Sequence, residues 1–261
     1  MNASIETLRA DVARVCHMLV GLGLDSGPFG NVSVRIPGRG EYWQNPCGIT
    51  FDRLAAEDVI RVDTDGRVIE GRHAAHPGEF IHREIYRRRP DVGAIVHTHS
   101  HDTATLSLLG VPIEPFTQLG ASLHGDQGVY LGFNGPVRDS NEGAAIAEAL
   151  GERAIVIAKN HGLFAAGPNL REALWDFVVA DMAAKQHLSA WQLDLRKAEP
   201  LPPAVLEKSR REVRKAQADA MWINYLDRLR EECPGLFRDL PAERPRKASK
   251  SSPSSRYIQS L

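Results

Sequence analysis

The chain is short of cysteine and has no long apolar run. Cys16, Cys47 and Cys233 are the only three in 261 residues, and they are scattered with no C-x-x-C pair. An odd, dispersed set builds no disulfide framework and suits a reducing cytoplasm. No apolar stretch approaches the roughly 20 residues of a membrane helix. The segment MNASIETLRADVARVCHMLVGLG carries acids early and no long apolar block, so no secretory signal is expected. Neither sign of charge is in excess, for 32 Lys and Arg stand against 33 Asp and Glu. No overall field therefore draws nucleic acid or an anionic membrane, and a small-molecule partner is expected. Walker and G-x-S-x-G motifs are missing too. GLGLDSG follows a helix rather than a strand and lacks the spacing of a dinucleotide loop.

What is present is a mixed α/β pattern. Leu8, Val12, Val15 and Leu19 recur at helical spacing until Gly21 and Gly23. SGPFGNVSVRIPG reads as a glycine-rich turn entering a strand at 32–36, and VIRVDTDGRVIEG as a hairpin turning at Asp65–Gly66. HPGEFIHREIYRRRP is a helix with Pro77 near its start and Pro90 past its end. A strand over 94–99, a helix near 103–110 and glycine-rich loops over 111–137 follow. Next come a helix that Ser140 could cap, two strands around a turn at 160–162, and a long helix over 168–195. No composition break marks a linker within 1–195, which reads as one domain. Residues 196–240 are expected to form a charged helical extension, and 241–261 a disordered basic, serine-rich tail.

The run AIVHTHSHD carries the chemistry. In an extended chain residues i and i+2 share a face, so His97 and His99 stand side by side. His161, in the turn KNHGLF, is the third histidine held by strong turn chemistry. Glu79, at the start of the helix that leads into the strand, could approach as a fourth ligand or a base. Each has a plainer reading: H-x-H as half-buried polar residues, His161 as turn filler, Glu79 as a helix-start acid complementing the dipole. His101 lies beyond the expected strand end and is a lesser candidate ligand; His73, His76, His82, His124 and His187 read as surface, supporting or helix-face residues, with His124 the best placed of them to reach a substrate. Cys47 lacks a paired base and reads as a small wall residue.

GNVSVR (30–35), NPCGI (45–49), PGE (77–79), RPDVGAIVHTHS (89–100), NHGLFAAG (160–167) and EALWDFVV (172–179) together resemble the class II aldolase/adducin family over roughly 5–195. The resemblance implies a three-layer α/β/α fold with a central, mainly antiparallel sheet, and a homotetramer with sites at subunit boundaries. It implies one divalent metal ion per subunit on His97, His99 and His161, zinc first, with iron(II) or manganese as alternatives. Glu79 would be acid/base or an intermittent ligand. Departures narrow the substrate. The hydroxyl residue of the family's phosphate-binding turn is here Cys47, and the S-S-E triplet is Pro77-Gly78-Glu79. A thiol is a weak donor and proline offers none, so phosphate recognition is largely dismantled, although Gly30 and Asn31 remain. The family's proton-donating tyrosine falls at Phe116.

Three readings follow. The first is a metal-dependent lyase, by retro-aldol cleavage or decarboxylation, on a small non-phosphorylated hydroxy or oxo acid. Phe80, Phe116, Tyr130 and Phe133 would admit an aromatic one; Asn31 and Gly48 would orient it, and Gln118 or His124 would supply a proton. The second is a non-haem iron(II) oxygenase of the same fold, acting on a prenylated or substituted hydroxybenzoate. The third is a non-enzymatic, adducin-like interaction module, which the intact histidine set disfavours.

Overall fold

A computed structural model describes residues 4–133, 135, 140–193 and 198–237, with backbone only for 210–216. Its strands are β1 (Asn31–Arg35), β2 (Glu41–Gln44), β3 (Ile60–Asp63), β4 (Val68–Glu70), β5 (Ala94–Thr98), β6 (Gln127–Tyr130), β7 (Ile155–Ala158) and β8 (Gly162–Gly167). They form one sheet in the order β4-β3-β2-β1-β5-β8-β7-β6. Every neighbouring pair is antiparallel except β6 and β7. The helices are α1 (Ile5–Gly21), α2 (Glu79–Arg88), α3 (His101–Ser107), α4 (Gln118–Ser122), α5 (Ser140–Leu150), α6 (Leu170–Leu193) and α7 (Pro203–Glu232).

Strand alternation sorts the side chains onto two cores. On one face Val32, Val34, Ala94 and Val96 meet Val12, Val15 and Leu19 of α1 and Leu174 and Phe177 of α6. Trp222 and Leu229 of α7 belong to this same core, so the helix after residue 195 packs on the domain. On the other face Tyr42, Ile60, Ile95 and Phe164 meet Ile81 and Ile85 of α2 and Ile146 and Leu150 of α5. The result is the expected α/β/α sandwich. Helices α2 and α5 approach closely at Gly143, where a Cβ would lie 2.5 Å from the carbonyl oxygen of Phe80.

Local signals account for most boundaries. Ser4 caps α1 by accepting from the Thr7 N–H, and Gly23 at φ 69° turns the chain away after it. The β3–β4 hairpin turns at Gly66, φ 84°. Two boundaries differ from the sequence reading. β5 ends at Thr98, and α3 already starts at His101, because buried Ser100 is anchored by its Oγ donating to Asp181 Oδ1 at 2.7 Å. Within the stretch read as loops, Thr117 caps the short helix α4 by accepting from the Gly120 N–H. The serine-rich tail 241–261 lies outside the described residues.

Candidate metal centre

Two elements of the sheet bring three imidazoles together. His97 is the penultimate residue of β5 and, by alternation, shares the face of Ile95 beneath α2. His99 follows one residue past the strand, its N–H donating to Ser26 Oγ at 3.0 Å. His161 projects from the tight β7–β8 turn, in which Asn160 has φ 61° and Gly162 φ 141°. The ring centroids lie 4.8 Å (His97–His99), 5.1 Å (His97–His161) and 5.0 Å (His99–His161) apart. One nitrogen from each lies within 4.8 Å of the others.

The set fits a divalent cation on its own chemistry. His97 Nδ1 bonds the Leu163 carbonyl at 2.8 Å, so this nitrogen carries the proton and Nε2 presents its lone pair. Phe164 stacks on the same ring at 3.8 Å and 9°, fixing its plane. His99 Nε2 and His161 Nδ1 are buried with no hydrogen-bond partner among the described residues. Burial, then the neighbouring His99 and His161, holds His97 well below its ordinary pKa. Burial and His99 pull His161 down to about 4, while burial followed by His76 lowers His99. Three neutral imidazoles with free lone pairs are what a cation requires.

Glu79 does not join this group. Its buried carboxylate accepts from Tyr42 Oη at 2.7 Å and pairs with Arg83 at 3.5 Å. Burial outweighs both partners and raises its pKa. The residue beside it, Gly78, abuts Asn31 and His76. A Cβ on Gly78 would point at Asn31 Nδ2, 3.0 Å away, and His76 Nδ1, 3.2 Å away. Asn31 is directly opposite His97 in the β1–β5 register. It is fully buried, its Oδ1 accepts from Gln44 Nε2 at 2.6 Å, and its Nδ2 has no partner among the described residues.

The other expected substrate residues lie in different settings. Gly48, φ 85°, is exposed in the turn after β2. Phe116 packs edge-on against His187 of α6 at 5.8 Å. Gln118 and His124 are exposed at either end of α4. The rings that flank the histidines are Phe29, 6.4 Å from His99, and Phe133, 6.5 Å from His161; both are solvent-exposed. Phe29 was not singled out from sequence, since it carries no chemical signature of its own. His82, read as a supporting residue, is wholly buried under the centre. Its Nδ1 bonds Ser33 Oγ at 2.7 Å, and its ring meets Phe164 edge-on.

The profile of the Class II Aldolase and Adducin N-terminal domain matches residues 10–188. Decarboxylase NovR of Streptomyces niveus is 34% identical over 173 residues, covering 65% of this chain and 64% of that protein. The 4-hydroxy-3-prenylphenylpyruvate oxygenase/4-hydroxy-3-prenylbenzoate synthase of Streptomyces roseochromogenus subsp. oscitans is 33% identical over 188 residues, 70% of this chain and 67% of that protein. The chain thus spans about two thirds of the length of these two relatives. Among solved structures, L-fuculose 1-phosphate aldolase from Glaciozyma antarctica PI12 superposes with a TM-score of 0.78 at 26% identity, covering 89% of this chain and 94% of that one.

Proposed function

The chain belongs to the class II aldolase and adducin N-terminal domain family, and from that premise we propose that it is a divalent-metal-dependent lyase acting on a small, non-phosphorylated hydroxy or oxo acid. The observation that carries this is the cluster of His97, His99 and His161, with buried nitrogens that nothing among the described residues satisfies. A cation held there supplies Lewis-acid polarisation of a substrate oxygen and stabilises negative charge as it develops. The protein's own residues do the rest. Leu163 and Phe164 fix the His97 ring; Asn31 Nδ2 offers a donor to a substrate oxygen beside it. Phe29 and Phe133 border the histidines with apolar rings, which favours an aromatic or similarly apolar substituent. Cys47 and Pro77 supply no strong donors for a phosphate.

Between the two lyase routes the site favours decarboxylation. Retro-aldol cleavage needs a base to take the hydroxyl proton, and among the described residues no carboxylate belongs to the histidine group. Decarboxylation starts from an ionised acid: in a 3-oxo acid the C–C bond breaks, carbon dioxide leaves, and the electron pair stays on the carbon next to the carbonyl until a proton arrives. The relative described as a decarboxylase supports this route. Zinc is the first expectation for the ion, and a homotetramer for the assembly.

Elemental analysis of protein prepared without oxygen tests the reading, beside His97→Ala. Near-stoichiometric zinc or manganese in the wild type, lost in the variant, is the expected result. It is followed by carbon dioxide release from a panel of aromatic and aliphatic oxo acids. No metal, with failure to reconstitute, overturns the enzyme reading and returns the chain to an adducin-like interaction role. A second reading, an iron(II) oxygenase, is favoured by similarity to the prenylphenylpyruvate oxygenase and by the neutral, carboxylate-free histidine set. Iron in the purified protein, with iron-dependent oxygen uptake, selects it.

A further inference from the structure

The residues on either side of His99 are tied to two other parts of the chain. Among the described residues its Nε2 has no hydrogen-bond partner, and no carbonyl orients its ring as Leu163 orients that of His97. The direction of the His99 ring is therefore set by the backbone that carries it. That backbone leaves β5 at Thr98 and enters α3 at His101. Thr98 Oγ1 donates to the Leu24 carbonyl at 2.5 Å and the His99 N–H to Ser26 Oγ at 3.0 Å, which holds the near side. The far side is held from α6, where Asp181 Oδ1 accepts from Ser100 Oγ at 2.7 Å. Asp181 is buried, and Phe177, Val178 and Ala184, its neighbours one turn away on α6, belong to the apolar core. A carboxylate in that setting is costly unless it is hydrogen-bonded, and its bonding is spent on the start of α3. Ser100 is the N-cap of α3, yet its side chain accepts from no N–H of the helix. Burial raises the Asp181 pKa, and the Ser100 hydrogen bond and the Thr103 N–H act against that rise. The acid of α6 thus stands where a capping side chain would.

We infer that Asp181 is a positioning residue for the metal centre: by fixing Ser100 it fixes the backbone of His99, and with it the direction of that imidazole. This rests on the metal-dependent reading above and deepens it, since it ties one ligand to the long helix α6. A hydrogen bond that only supported the fold would lower stability and leave the affinity of the folded protein for metal untouched. One that aims His99 changes that affinity, because a ring free to swing must be ordered when the ion binds.

The test titrates the full chain with Co(II), read by the visible absorption of the bound ion and by competition with a chromophoric chelator. Asp181→Ala and Ser100→Ala are each expected to weaken Co(II) binding about tenfold and to shift its visible bands. The double variant is expected to lose about as much as either single one, since both remove the same bond. Asp181→Asn, whose amide oxygen still accepts from Ser100, is expected to recover part of the loss. Gly143→Ala, which disturbs the packing of α2 on α5 instead, is the control for lowered stability and is expected to keep wild-type affinity. Wild-type affinity and spectrum in folded Asp181→Ala overturn the inference while the metal site stands. Should that variant not fold, wild-type values in Ser100→Ala overturn it in the same way. Losses that add in the double variant, no recovery in Asp181→Asn, or an equal loss in Gly143→Ala overturn it too. Failure of the wild type itself to bind Co(II) overturns the metal-dependent reading, and no variant is needed to see it.

Discussion

His82 offers a quantitative check on how the site is buried. Burial, with a smaller effect from His76, pulls its pKa down to about 3, and its Nδ1 is committed to Ser33 Oγ. The unfolded chain titrates near the ordinary value, about 6.5. Between those two values the unfolded state binds a proton that the folded state refuses. The stability from neutral His82 is therefore fully present above about pH 6.5 and is lost as pH falls toward 3. At pH 5 the difference is nearly one proton, a slope of about 1.4 kcal/mol per pH unit and a loss of about 2 kcal/mol relative to pH 7.5. His97, His99 and His161 add to the same acid sensitivity, since all three are lowered by burial. They do so equally in a variant that keeps them. Urea unfolding of metal-free wild type and His82→Gln across pH 5 to 7.5 isolates the one residue, because Gln carries no titrating group and can still meet Ser33. The variant's stability is expected to fall less steeply with acid, by close to one proton at pH 5. Parallel pH profiles would refute the claim that buried His82 stays neutral in the folded protein.

Other expectations follow from single contacts. Gly143→Ala puts a methyl against the Phe80 carbonyl, prising α2 from α5; a loss of about 1–3 kcal/mol in urea unfolding is expected, with metal stoichiometry unchanged. Phe164→Leu frees the ring of His97, and metal affinity read by competition with a chromophoric chelator is expected to weaken about tenfold. Phe29→Ala removes a ring that is 60% exposed, so stability should change by no more than about 0.5 kcal/mol. Aromatic acids should nevertheless bind that variant about 0.5–1.5 kcal/mol more weakly, measured by calorimetry against an aliphatic acid as control.

The histidine group was legible because each member sits on a strong local signal. An alternating strand places His97, and the Asn160–Gly162 turn can hardly do other than project His161. The layers came from the family resemblance, since the apolar periods of α1 and α6 by themselves implied only a mixed α/β domain. Positions set by long-range contact were not legible. His82 looks like any helix-face histidine until Ser33 on β1 and Phe164 on β8 close over it, contacts 49 and 82 residues away in the chain. Phe116 follows a proline-bounded loop, and only the packing of α6 shows that it turns to His187. The short helix α4 was hidden because its five residues are too few to show a period.

The acid at the start of α2 shows how little separates one chemistry from another. Successive residues of a helix point about 100° apart, so positions 78 and 79 serve different neighbours. From position 78 a side chain faces Asn31 and, across the β1–β5 register, His97. From position 79 the carboxylate instead meets Tyr42 on β2 and Arg83 one turn along α2. The β3–β4 hairpin seals that pair. A Cβ on Gly66 would fall 2.2 Å from Arg83 Nη1 and 2.9 Å from Glu79 Oε2, and Arg83 Nη1 donates to the Asp65 carbonyl at 2.6 Å. Removing one member of such a buried pair leaves the other unsatisfied, which makes Glu79 a fastening for the hairpin. The consequence reaches the centre. Three neutral ligands leave the charge of a divalent ion uncompensated by the protein. With such an ion bound, a site of that kind would attract an anion, in keeping with the acid substrate proposed above.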